Sequence, residues 1–151
     1  MLKLSQRSMT KEERKELQRR RPLFIFRESR KRAQAEIDAG TVDVLELEIS
    51  KAWILNRDDP VECLFQVSDK EFVWLQSFEL LTFSKTIFPS SRMTIVRSPV
   101  SHSLISVTPT SKSVLQTEYY EAAQDYLSEC EIVNERNCLE RLRPLLFPNA
   151  H

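Results

Sequence analysis

Apolar and polar residues alternate with a period of two at the centre of the chain. Val61, Cys63, Phe65 and Val67 are apolar at every second position, with Glu62 and Gln66 between them. This spacing predicts a strand with one buried face. Ser68-Asp69-Lys70-Glu71 is turn chemistry, and Phe72-Val73-Trp74-Leu75 is an unbroken apolar run that predicts a strand buried on both faces. The two strands form a hairpin. Upstream, Leu45, Leu47 and Ile49 alternate with Glu46, Glu48 and Ser50, and the pattern falters at Lys51-Ala52-Trp53. A bend there would let one long strand over Val42–Leu55 serve two sheets. The turn Asn56–Pro60 leads into the hairpin. Met93–Ser98 and Leu104–Thr108 predict a fourth and a fifth strand, and Glu131-Ile132-Val133 a short sixth. Residues 77–91 are apolar without a clean period, and strand, loop and short helix all fit them.

Other segments carry helical signals. Thr10-Lys11-Glu12-Glu13 reads as a capping box, opening a helix that runs to Arg21 and stops at Pro22. Leu17 is its only large interior apolar residue, so the helix is expected to be exposed to solvent. After the apolar patch Leu23–Phe26, Ser29–Ala39 forms a second helix with Gly40 as its C-cap. Near the C-terminus, Tyr119, Ala123, Tyr126, Leu127 and Cys130 fall on one face of an amphipathic helix capped by Thr117, with Tyr120 off that face. Asn134–Leu142 is a last helix, ended by Pro144, and Leu145–Pro148 is a docked or exposed tail. The expected fold is α+β: a small antiparallel sheet or partly open barrel of five or six strands. A C-terminal amphipathic helix packs on it and a basic helical arm precedes it. The expected division is an arm over residues 1–40 and a β-rich globular domain over 41–151.

Composition narrows the function classes. A chain of 151 residues, 41% hydrophobic and 29% charged, is globular in class and long enough to bury a core. No apolar run approaches the ~20 residues of a membrane helix, and none follows Lys3 as a signal peptide would. The single glycine, Gly40, excludes Gly-rich phosphate loops and dinucleotide fingerprints. Cys63, Cys130 and Cys138 are odd in number and none is spaced as C-x-x-C, which points to a reducing, cytoplasmic setting without a disulfide framework. With His102 and His151 the only histidines, a Cys/His zinc site is poorly supported. No cofactor is implied.

Charge changes the picture more. Residues 1–32 hold twelve Lys/Arg against four Glu (+8), and residues 33–151 hold ten against eighteen Asp/Glu (−8). The basic segment could be a solvated helix folded on the acidic body. It could bind phosphates, although Glu12, Glu13 and Glu16 interrupt it. Or Leu23–Phe26 could insert into an anionic membrane surface, with the flanking arginines on lipid headgroups. Arg14, Lys15, Arg19, Arg20, Arg21, Phe24, Phe26, Arg30, Lys31 and Arg32 are the candidate partner contacts.

The order of motifs resembles an uncharacterised bacterial family of small β-rich domains, often tethered by membrane helices. Ala33–Glu48 (AQAEIDAGTVDVLELE), Phe65–Gln76 (FQVSDKEFVWLQ) and Phe88–Pro99 (FPSSRMTIVRSP) carry the resemblance, which spans about residues 27–142. No membrane helix precedes Arg27 here, and Ser, Asp and Lys stand in the hairpin where the family is Gly-rich. The resemblance implies no activity and no catalytic residues. It favours a place near a membrane.

Catalysis has little support. His102 with Cys63 could form a nucleophile pair, but Cys63 lies on the apolar phase of its strand, where cysteine behaves as a small hydrophobe. Acid pairs such as Asp58-Asp59 and Glu46/Glu48 sit on a turn and an outward face. The expected role is a non-catalytic interaction or accessory module with a charge-dependent contact through its basic segment. A protein partner is expected first, then an anionic membrane at its inner face, then nucleic acid.

Overall fold

The computed structural model describes residues 1–20, 27–56, 61–77, 90–111, 117–119 and 130–134. Two helices and nine strands lie among them. In chain order they are β1 (Leu2–Ser8), α1 (Lys11–Arg20), α2 (Arg27–Ala39), β2 (Thr41–Glu48), β3 (Lys51–Asn56), β4 (Val61–Gln66), β5 (Glu71–Ser77), β6 (Arg92–Arg97), β7 (Leu104–Pro109), β8 (Thr117–Tyr119) and β9 (Cys130–Asn134). The class is α+β and mostly β. Where the sequence suggests five or six strands in one sheet or an open barrel, the described strands form two sheets, β1-β2-β6-β7 and β8-β3-β4-β5-β9. All neighbours are antiparallel except the parallel pair β3–β8.

The long first strand of the body explains how one chain makes two sheets. It breaks at Ile49-Ser50, two residues before the expected bend, so β2 enters one sheet and β3 the other. Leu45, Leu47, Met93 and Ile95 from the first sheet then meet Phe65, Val73, Leu75 and Cys130 from the second in a single buried cluster. The sheets therefore pack face to face. The β4–β5 hairpin pairs Val61 with Ser77 through Gln66 with Phe72, and its turn is closed by the Val67 amide donating to the Glu71 carbonyl (3.1 Å). Both strands are buried on two faces. Phe72–Leu75 does this as the apolar run requires, but Leu64 falls off the period-two pattern and is buried as well. With Trp53 and Trp74 it forms one cross-strand row on the side away from the inter-sheet core.

The other face of the first sheet is covered by the helices. Leu17 of α1 and Ile37 of α2 pack with Val42, Val96 and Ile105. The expectation that Leu17 faces solvent is thus overturned: its side chain is 5% exposed. One leucine suffices because the sheet supplies the rest of the apolar surface. A bulge helps, since Ile105 is the extra residue of β7 between the pairs Val96–Ser106 and Arg97–Leu104, which turns it toward the helices.

Local signals at the N-terminal helices act as read. The Thr10 amide donates to Glu13 Oε1 (2.8 Å), and the Glu13 amide donates to Thr10 Oγ1 (3.1 Å), completing the capping box. Gly40 ends α2 with φ 67°, a left-handed conformation that L side chains adopt at a cost. A Cβ there would also sit 3.2 Å from an Arg14 guanidinium nitrogen. Residues 2–8, to which the sequence reading gives no regular structure, pair along β2 as an edge strand. At the other end, Thr117 does not cap a helix but starts β8 beside β3. Cys130, expected on the same helical face, stands in strand β9 instead, and Asn134 ends that strand where the sequence suggests the start of a last helix. Residues 120–129, Tyr120 among them, lie outside the described residues, as do Arg57–Pro60, residues 78–89 and everything after Asn134.

Candidate functional site

Helices α1 and α2 bury one stripe each and turn the remainder outward. On α1 the stripe is Glu13, Arg14, Glu16 and Leu17, and on α2 it includes Ala33, Glu36 and Ile37. Arg14 joins the helices by donating from Nη1 to the Ile37 carbonyl (2.9 Å) in the last turn of α2, where the C-terminal dipole end favours a cation. Lys11 and Lys15 are exposed on α1, and Arg27, Arg30, Lys31 and Arg32 on α2. None of these six forms an ion pair with a described residue.

Two acids that interrupt the basic segment in sequence are held by local partners. Glu13 is gripped by Arg7 of β1, whose Nη1 and Nη2 donate at 2.7 and 2.8 Å. The Arg7 guanidinium holds the Glu13 carboxyl below its usual range, against partial burial, and the Thr10 amide adds to the effect. Glu16 accepts from Arg19 Nε at 3.1 Å. Glu12 and Glu28 stay exposed on the same layer.

Of the residues singled out from sequence, Lys15, Arg30, Lys31 and Arg32 are brought to this outward layer. Arg19 is also exposed but bonded to Glu16, and Arg14 is turned inward to Ile37. Arg20 lies in the last turn of α1. Arg21, Leu23, Phe24 and Phe26 lie outside the described residues. Lys11 and Arg27 belong to the layer and are not among those candidates, although helical spacing from Lys15 and Lys31 points to both.

A second polar group lies inside the sandwich. Asp43 of β2 and Arg97 of β6 are register partners, and Arg97 Nε donates to Asp43 Oδ2 at 3.2 Å with both side chains almost wholly buried. Gln6 of β1 donates to Asp43 Oδ1 (3.0 Å), and Arg97 Nη1 donates to the Cys130 carbonyl of β9 (2.8 Å). Each charge is thus paired and further hydrogen-bonded, the condition under which a buried ion pair is tolerated. The group ties β1, β2 and β6 of one sheet to β9 of the other.

The residues considered for catalysis are separated by burial. Cys63 is fully buried, with Leu75 between it and Cys130 in the register of β4, β5 and β9. Two strand spacings, about 10 Å, keep these sulfurs from bonding to each other, and neither is in a disulfide. His102 lies half-buried in the β6–β7 turn with φ 58°. Among the described residues no group of three His, Cys, Asp or Glu side chains could hold a metal ion, and no helix is long and apolar enough to cross a membrane. Comparison with protein families, with curated proteins and with solved structures finds no match for the chain.

Proposed function

We propose that the protein is a non-catalytic binding module whose α1–α2 layer makes a charge-dependent contact with an anionic partner. The observation that supports this most is the fate of charge on the layer. Six Lys and Arg side chains point outward without ion-pair partners among the described residues, while Glu13 and Glu16 are held by arginines. Cations clustered on one face raise the local concentration of anions and speed their encounter. Anchoring to a sheet fixes where those cations stand, so less ordering is required when a partner arrives.

Retention on a sulfated polyanion resin tests the proposal. The protein should bind at low salt, and Lys15→Glu with Arg30→Glu and Lys31→Glu should elute well before it at about 150 mM salt. All three side chains are exposed, so circular dichroism should not change. Co-elution of the two proteins would end the proposal.

A further inference from the structure

We propose that the partner is the phosphate backbone of a double-stranded nucleic acid, bound without base-sequence preference; this rests on the charge reading above. Spacing is the first reason. Lys11 and Lys15 are one turn apart on α1, and Arg27, Arg30 and Lys31 follow the i, i+3, i+4 rule on α2. Four residues advance about 6 Å along a helix, so the cations form two fixed stripes. The 13 residues of α2 extend about 20 Å, the rise of roughly six base pairs.

What the layer lacks is the second reason. Among the described residues the exposed large hydrophobics are Met1, Leu4 and Val100, and none lies on α1 or α2. Protein interfaces centre on aromatic and arginine anchors and are depleted in lysine, whereas α1 and α2 carry no aromatic residue and three of the six cations are lysines. A membrane-surface helix presents an apolar face to lipid, yet here Leu17 and Ile37 are committed to Val42, Val96 and Ile105. Nucleic-acid interfaces are polar and positive, and these helices set six cations, unpaired among the described residues, against exposed Glu12, Glu28 and Asp38, a polar surface of net positive charge. Lys and Arg on phosphates position a protein without reading sequence.

The test is anisotropy titration of the full chain with scrambled duplex DNA, duplex RNA of the same length, polyglutamate and phosphatidylserine vesicles. Binding to at least one duplex is expected, with log K falling linearly in log salt. For duplex DNA the six cations should contribute a slope of about −5, from roughly 0.9 per phosphate contact. Replacing Lys15, Arg30 and Lys31 by Gln should make that slope shallower by nearly 3 (about 0.9 each). Lys70→Gln, in the β4–β5 turn of the other sheet, should leave it unchanged. The two duplexes decide between DNA and RNA as the source of the phosphates. Binding of polyglutamate or vesicles with none to either duplex overturns the inference and leaves the charge reading standing. Duplex binding that the triple variant does not weaken overturns this surface as the site. Absence of binding to every anionic probe removes both.

Discussion

Asp43 and Arg97 occupy positions that the strand pattern reserves for apolar side chains. Asp43 is in phase with Leu45 and Leu47, and Arg97 with Met93 and Ile95, so both face the inter-sheet core. The phase is legible in the sequence. Their pairing is not, because it depends on the register between β2 and β6, strands separated by more than forty residues. A buried ion pair contributes little net stability, but removing one partner leaves the other charge in an apolar interior. Asp43→Asn should therefore destabilise the fold by roughly 3–5 kcal/mol, the range for breaking such a pair. The double replacement Asp43→Leu, Arg97→Met should cost far less than Asp43→Leu and Arg97→Met made singly and added together. Urea titrations of the four proteins close this cycle. Additive losses would mean that the two residues act independently.

Elements were legible wherever a local signal sufficed. The hairpin, the β2–β3 bend, the Thr10–Glu13 box and the Gly40 cap each depend on residues within one element or its immediate neighbours. Strand β1 is hidden because every residue of LKLSQRS after Leu2 is exposed at the sheet edge, so the segment carries no apolar period worth reading. Thr117–Tyr119 carries the spacing of a helix start, and the three-residue strand it forms instead is defined only by its parallel neighbour β3. The cap of α1 gives an element-scale expectation. Thr10→Ala removes one side of the box and should cost about 1 kcal/mol in denaturant unfolding. The sign of the pH dependence follows from Glu13, whose folded pKa is lowered by Arg7. Its contribution is present above the ordinary carboxylate range and is lost as pH falls below about 5. Glu13→Gln should thus melt below wild type at neutral pH, with the gap closing under acid. A gap that stays constant down to acid pH would show that the Arg7–Glu13 pair contributes nothing through charge.

At the scale of the whole molecule, the charge asymmetry suggests a detachable basic arm on an acidic body. The packing gives the first forty residues a larger part. They supply β1, which occupies one edge of β2, and both helices that cover the first sheet. A chain starting at Thr41 would bare Val42, Val96 and Ile105, now at most 5% exposed, and would leave Asp43 without Gln6. Burying a large aliphatic side chain contributes roughly 1.5–3 kcal/mol, so three of them amount to about 5–9 kcal/mol. Total stabilities of small domains are only about 5–15 kcal/mol. The shortened chain should therefore lose its cooperative thermal transition and bind hydrophobic dye, and the freed edge of β2 should promote association. Scanning calorimetry beside size-exclusion chromatography measures both consequences. A monomer melting cooperatively within a few degrees of the full chain would mean that residues 41–151 form a self-sufficient domain, and the helical layer would then be a docked accessory. If the transition disappears, the cations of α1 and α2 cannot be separated from the fold that holds them, and binding must be dissected by surface substitutions in the full chain.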